Sequence, residues 1–230
     1  HDIFKDYRKV ATLKKFLSIL IFCAVEQSSA FRAAAETTAF IDSPILLEKI
    51  DSAIKLGYLR KAEALIAQLS KKINGKNNWR IPYYWHLISE TKQNLIDSKT
   101  YILEAYRLNP DNPELLLSIA SLKGREGKFK IALHHLNKAI YLKPDYSSAY
   151  INRGVVKGAL GDTRGAILDF TRSVELDKYN AMGYQNRGIS FEIFGDMKNA
   201  CRDWRSASLL GLDASKQWYS VQCKKGTIQK

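Results

Sequence analysis

The stretch GDTRGAILDF, Gly161 to Phe170, returns as GDMKNACRDW, Gly195 to Trp204, 34 positions further on. Set out at that period, the chain falls into blocks that begin at Trp79, Pro113, Ser147 and Ala181. A weaker block begins at Ser43, and Asn77 and Asn78 are left over before Trp79. Small residues recur in fixed columns: Ala120, Gly154 and Gly188; Gly127, Gly161 and Gly195; Ala132, Ala166 and Ala200; Ala139, Ser173 and Ala207. Large ones recur between them, with Leu116, Tyr150 and Tyr184 in one column and Leu136, Phe170 and Trp204 in another. Each block therefore reads as a helix, a tight turn at Gly, a second helix and a polar turn, closed by Pro110 and Pro144 in two cases. Asp162 and Asp196, just after the turn glycines, are placed to cap the second helices.

The period and the small/large columns resemble the tetratricopeptide-repeat family from about Ser43 to Ala214. The phrasing NRG, GD and GAI.DF is also similar to repeats common in cyanobacterial exported proteins. One helical hairpin cannot bury its apolar face, so hairpins stack and each covers its neighbour. The resemblance implies an all-α fold, a right-handed superhelical solenoid of helix-turn-helix hairpins with a concave groove and a C-terminal capping helix. The expected organisation is residues 1–30 as signal peptide or N-terminal anchor and 31–42 as linker. Five repeats follow over 43–211 (43–78, 79–112, 113–146, 147–180 and 181–211), then a capping helix and tail over 212–230. The second repeat departs from the pattern, with Gln93 in place of the turn glycine and Ser98 in place of the column alanine.

Over 230 residues the composition, 46% hydrophobic and 26% charged with five prolines, is that of a folded chain. The formal charge of +13 invites a nucleic-acid or anionic-membrane reading. Part of it has a simpler reading. The basic LKKF at Leu13 to Phe16 runs into the apolar FLSILIFCAV, Phe16 to Val25, and then into small residues at Ser28 and Ala30, with Ala33 and Ala35 as a second pair. This is the pattern of an export signal, and the apolar run is about half the length of a spanning helix. The expected location is the periplasm, a thylakoid lumen or the exterior, after cleavage near Ala30 or Ala35. An uncleaved, membrane-anchored form is the alternative. No methionine precedes Met182, and initiation at Val10 through an alternative start codon would open the product with a short basic segment and the apolar run. Removing residues 1–30 takes away five Lys/Arg and three Asp/Glu, so the remainder stays basic. Its charges form no run of five, which reads as a solvated surface and argues against nucleic acid as a partner.

Arg153 and Arg187 share a column that other blocks fill with Trp85 and Ile119, and in the same two blocks another column carries Asp169 and Asp203. The joint change predicts a structural Arg–Asp bond between helices, within a repeat or across to the next. An Arg reaching for an acidic ligand is the alternative. Of the three cysteines, Cys23 falls in the signal segment and follows bulky Phe22, which argues against lipid attachment. Cys201 and Cys223 make a natural pair in an exported chain, and two free thiols are the reading for a reducing compartment. Leu212 to Cys223 reads as one more helix, with Leu212, Trp218 and Val221 as candidates for its inner face. The segment ACRDW to Cys223 also resembles a closing segment of exported tetratricopeptide proteins. A bond between the two cysteines would close a loop of about 22 residues and contribute roughly 3 kcal/mol. Trp204 would then fill the gap beneath the cap.

No catalytic constellation emerges. His86, His134 and His135 lack the spacing of a ligand pair, the glycines are single and fall at repeat columns, and two cysteines without nearby His do not make a metal site. No metal, cofactor or small-molecule substrate is expected. The resemblance instead implies a groove lined by Tyr83, Tyr84 and Leu87; Leu117, Ser118, Ser121 and Arg125; Ile151, Asn152 and Val155; and Gln185, Asn186, Ile189 and Ile193. Asn152 and Asn186 lie one repeat apart and can bond an extended peptide backbone. The chaperone-binding carboxylate clamp of the family needs Lys and Asn where this chain has Tyr83 and Leu87. The expected role is a non-catalytic adaptor for a peptide segment or protein. The alternative is a membrane-tethered scaffold or assembly factor for a membrane complex.

Overall fold

Five residues with left-handed backbone, Gly57, Gln93, Gly127, Gly161 and Gly195, each end one helix and begin the next. In every case the following N–H reaches back five residues: Tyr58 to Ala53, Asn94 to Ser89, Lys128 to Lys123, Asp162 to Lys157 and Asp196 to Phe191, at 2.8–2.9 Å. This closed helix end satisfies carbonyls that would otherwise lack donors. The computed structural model describes residues 44–72 and 78–223; the segments expected to be a signal or anchor and a linker, with Cys23, Ala30 and Ala35, lie outside them. No strand occurs among the described residues.

The chain divides into two units, 1–77 and 78–230. In the first, α1 (Pro44–Lys55) and α2 (Leu59–Lys72) form one hairpin, burying Leu46, Ile50 and Ala53 on one helix and Ala62, Ile66 and Leu69 on the other. The second unit holds α3 (Arg80–Thr91), α4 (Leu95–Leu108), α5 (Pro113–Arg125), α6 (Phe129–Leu142), α7 (Ser147–Ala159), α8 (Thr163–Leu176), α9 (Ala181–Phe194), α10 (Met197–Leu209) and α11 (Asp213–Trp218). Side-chain caps start several of these helices. Asp162 accepts from the Gly165 N–H at 2.8 Å and Asp196 from Asn199 at 3.1 Å, while Asn112 accepts from Leu115 at 3.0 Å ahead of Pro113. Each such cap stabilises by about 1 kcal/mol.

Within the second unit each first helix packs on its own second helix, and α5, α7 and α9 pack also on the second helix of the hairpin before. First helices of neighbouring hairpins also touch, α5 with α7 and α7 with α9. The first helices therefore line the inner side and α4, α6, α8 and α10 form the outer side. The cores run across repeats: Leu116, Ala120, Leu136, Ala149 and Val156 join α5, α6 and α7 in one cluster. Volume is traded between two facing columns, Ala120 with Leu136, Gly154 with Phe170 and Gly188 with Trp204. A Cβ on Gly154 would lie 2.7 Å from the Phe170 ring, and one on Gly188 2.6 Å from Trp204 Nε1. The larger the ring, the smaller its partner must be.

The array ends by a change of turn. Asn109, Lys143 and Asp177 close α4, α6 and α8 with φ of −148°, −138° and −141°. At the same position in the last repeat, Gly211 has φ +93° and the Leu212 N–H reaches back to Ala207 at 3.1 Å. The turn that elsewhere joins two helices of a hairpin here folds α11 onto α10. Cys201 and Cys223 are joined in a disulfide with Cα atoms 5.7 Å apart. Trp204 is fully buried, its ring 5.8 Å from that of Trp218. The expected single helix from Leu212 to Cys223 is corrected. The α-helix stops at Trp218 and Tyr219–Cys223 is a π-helical turn. Its wider pitch rotates later side chains off the α-helical register, so Val221 is exposed and the buried residue of α11 is Ser215.

Candidate functional site

On the inner side, α3 presents Tyr83 and Leu87 half-buried. Tyr83 is flanked by the rings of Trp79 at 5.8 Å and His86 at 6.2 Å. Tyr84 does not line the surface as expected. It is buried, because a large ring in the column where other repeats carry Ser118, Asn152 and Asn186 gains more by turning into the core. On α5, Leu117, Ser118 and Ser121 are half-buried. On α7, Ile151 and Asn152 are half-buried and Val155 is exposed. On α9, Asn186 and Ile189 are half-buried and Ile193 is exposed. Gln185 is a second correction, being only 8% exposed. Gly183 lets the first turn of α9 press on α8, where a Cβ would sit 2.8 Å from Val174, and Gln185 is covered with that turn.

Between α7, α8 and α9 this surface opens into a pocket of about 330 Å³. Val155, Ile189 and Ile193 form its apolar wall, Phe170 lies at its base, and Asn186 and Ser190 supply polar groups. Gly154, Gly158 and Gly161 also line it. A Cβ on Gly158 would find only the Ala166 methyl, at 4.0 Å, so the glycine leaves room rather than permitting a close packing contact. Asn152 donates to the Ser148 carbonyl of its own helix at 3.2 Å and keeps its amide oxygen. A site with an apolar wall, one amide, two hydroxyls and no charge in its lining suits an uncharged side chain on an extended backbone.

The charged residues nearby are engaged within the array. Arg153 Nε and Nη2 donate to Asp169 at 2.9 and 2.7 Å, and Lys157 Nζ joins at 2.8 Å. Arg187 Nε and Nη2 donate to Asp203 at 2.7 and 2.8 Å. Each guanidinium also reaches the second helix of the preceding hairpin, at Asn137 and Thr171 respectively. Both pairs thus tie three helices, with the carboxylates buried. Arg125, which ends the inner face of α5, donates through both Nη atoms to Glu90 of α3 at 2.8 and 3.0 Å. These bonds hold the Glu90 carboxyl down at about 2, against desolvation that would raise it, with help from the Ser98 hydroxyl that also donates to it. His86 Nδ1 lies 3.0 Å from Ser98 Oγ and 3.1 Å from its carbonyl, and burial lowers its pKa. Of the two departures of the second repeat, Ser98 belongs to this cluster and Gln93 does not, and the repeat pattern carries no expectation for His86 or Glu90 beside it. The order of the cluster differs from a nucleophile triad: Ser98 sits between His86 and Glu90 and is buried, so no substrate carbonyl reaches its hydroxyl.

Among the described residues no three of His, Cys, Asp and Glu gather as metal ligands, and no helix is long and apolar enough to cross a membrane. No protein-family model matches the sequence, and no curated protein matches it. Solved structures do. The chain is similar to a MamA protein (19% identity, 82% of this chain and 97% of that one, TM-score 0.53). It is similar to YrrB, described as a TPR protein with an unusual peptide-binding site (18%, 85% and 98%, 0.55). It also resembles a chain of the APC/C hetero-tetramer Cut9–Hcn1 (14%, 87% and 40%, 0.70). At these identities the likeness is one of fold, and the fold is a tetratricopeptide-repeat solenoid.

Proposed function

From a tetratricopeptide-repeat fold with an open apolar pocket on its inner side, we propose a non-catalytic adaptor that binds an extended peptide segment of a partner protein. The pocket bounded by Val155, Ile189 and Ile193 carries the reading. It would take one apolar side chain of the ligand, while Asn186, and Asn152 one repeat back, bond the ligand backbone on either side of it. Tyr83, Leu87, Leu117, Ser121 and Ile151 extend the surface along the preceding helices. The peptide-binding site described for YrrB supports an adaptor over an enzyme, and so does the sealed position of Ser98.

Peptides selected by display against the full chain test this. Peptides of the proposed class share one apolar residue in a fixed register and bind Val155→Asp or Ile189→Asp at least about 30-fold more weakly. Unchanged affinity for both variants, with folding intact by circular dichroism, would remove the pocket from the site. We further propose that the protein works in an oxidising compartment after cleavage near Ala30 or Ala35. The Cys201–Cys223 disulfide supports that location. The N-terminal residue of protein purified from its source decides it, since an intact apolar segment would mean a membrane-anchored form.

A further inference from the structure

On the outer helices one exposed column is basic in three successive repeats. On α6, α8 and α10 the first outward position holds Lys130, Arg164 and Lys198, each 34 residues from the next and each exposed. Among the described residues none of the three has an ion pair, Arg164 lying only over the Phe194 ring at 5.5 Å, whereas Lys99, Lys138 and Arg172 are held by Glu126, Asp111 and Glu175. One turn further along lie His134, Leu168 and Arg202, also exposed. Apolar side chains stand among these charges: Leu168 is 69% exposed, Leu209 at the far end of α10 is 79% exposed, and Ile96 on α4 is 81% exposed. Beside Leu209 a cleft of about 560 Å³ between α10 and the cap adds Arg205 and Lys216, with Asp213 as its one acid.

We propose that the outer face of α6, α8 and α10 docks on an anionic bilayer surface, independently of the N-terminal segment. Lys130, Arg164 and Lys198 form a row that meets lipid phosphates across three repeats, while Leu168, one turn along α8, and Leu209, at the far end of α10, enter the headgroup boundary. Basic side chains alone would suit any polyanion. Exposed leucines set among them gain nothing from a phosphate backbone and gain burial from acyl chains. A nucleic acid could stack on Tyr141, exposed on the same side of α6 as Lys130, but would gain nothing from Leu168 at the centre of this face.

The test compares the full chain with Lys130→Gln/Arg164→Gln/Lys198→Gln, and with Leu168→Gln/Leu209→Gln, for partition onto vesicles. The readout is the ratio of binding to phosphatidylglycerol-containing over pure phosphatidylcholine vesicles, which cancels any apolar contribution from residues 1–30. The charge variant is expected to lower that ratio about 100-fold. The leucine variant is expected to weaken binding to the anionic vesicles about 10-fold or more. An unchanged ratio in the charge variant overturns the proposal. So does a leucine variant that binds as well as the parent, or a row whose loss affects only binding to a duplex oligonucleotide. All these residues lie outside the proposed peptide pocket, so either site can fail alone.

Discussion

Positions 85 and 101, 153 and 169, and 187 and 203 are the same pair of positions in three hairpins, sixteen residues apart each time. In the repeat that starts at Trp79 they hold Trp85 and Tyr101, with rings 6.3 Å apart. In the last two repeats they hold Arg and Asp joined by two hydrogen bonds. The position between the helices thus asks for filled volume, and either chemistry supplies it. What the ion pair adds is reach, since its third nitrogen bonds the preceding hairpin. What it costs is dependence on a partner, because a buried carboxylate left alone is destabilising where a ring left alone is not.

The largest expected effect follows from that dependence. Arg187→Met strands Asp203 and should cost about 3–5 kcal/mol in urea unfolding, while Arg153→Met should cost distinctly less because Lys157 stays on Asp169. Equal losses would mean that Lys157 contributes nothing there. An intermediate effect tests the facing columns. Gly188→Ala should cost about 1–3 kcal/mol by driving a methyl into Trp204. Adding Trp204→Leu, which restores the Ala120–Leu136 arrangement, should recover part of that loss, so the double variant is more stable than the two single costs predict. Strict additivity would break the volume-trading account. The smallest effect lies at the turns. Gln93, at φ +58°, is the one side-chain-bearing residue where the other turns have glycine. Gln93→Gly should raise stability by about 0.5–1 kcal/mol and Gly161→Gln should lower it, both read as shifts in unfolding midpoint.

What the sequence made legible was whatever recurs. The turn glycines, the caps at Asp162 and Asp196, and the joint change of Arg153 with Asp169 and Arg187 with Asp203 are visible because the chain prints its own comparison set. The cluster of His86, Ser98, Glu90 and Arg125 was hidden, because a departure from a repeat says where the pattern breaks and nothing about what replaces it. Val221 was misplaced because α-helical spacing was carried into a π-helical turn. Gln185 and Tyr84 shared columns with residues that do line the inner face, and local packing, not column, decides which side chain is covered. The outer basic row escaped a search for runs of charge, since its members hold the same position in successive repeats, 34 positions apart in the chain.

The disulfide between Cys201 and Cys223 also sets how the array responds to mechanical force. A pull applied beyond Cys223 cannot peel α11 away first, because the load passes through the sulfurs into α10. Rupture from that end must begin with the helix that carries the buried Trp204, so α10 and its core contacts fail together. In the same unit, residues 78–223, no disulfide guards the opposite end, and force entering at α3 can detach one hairpin at a time. The covalent clamp therefore makes the array mechanically polar, brittle from the cap and ductile from its beginning.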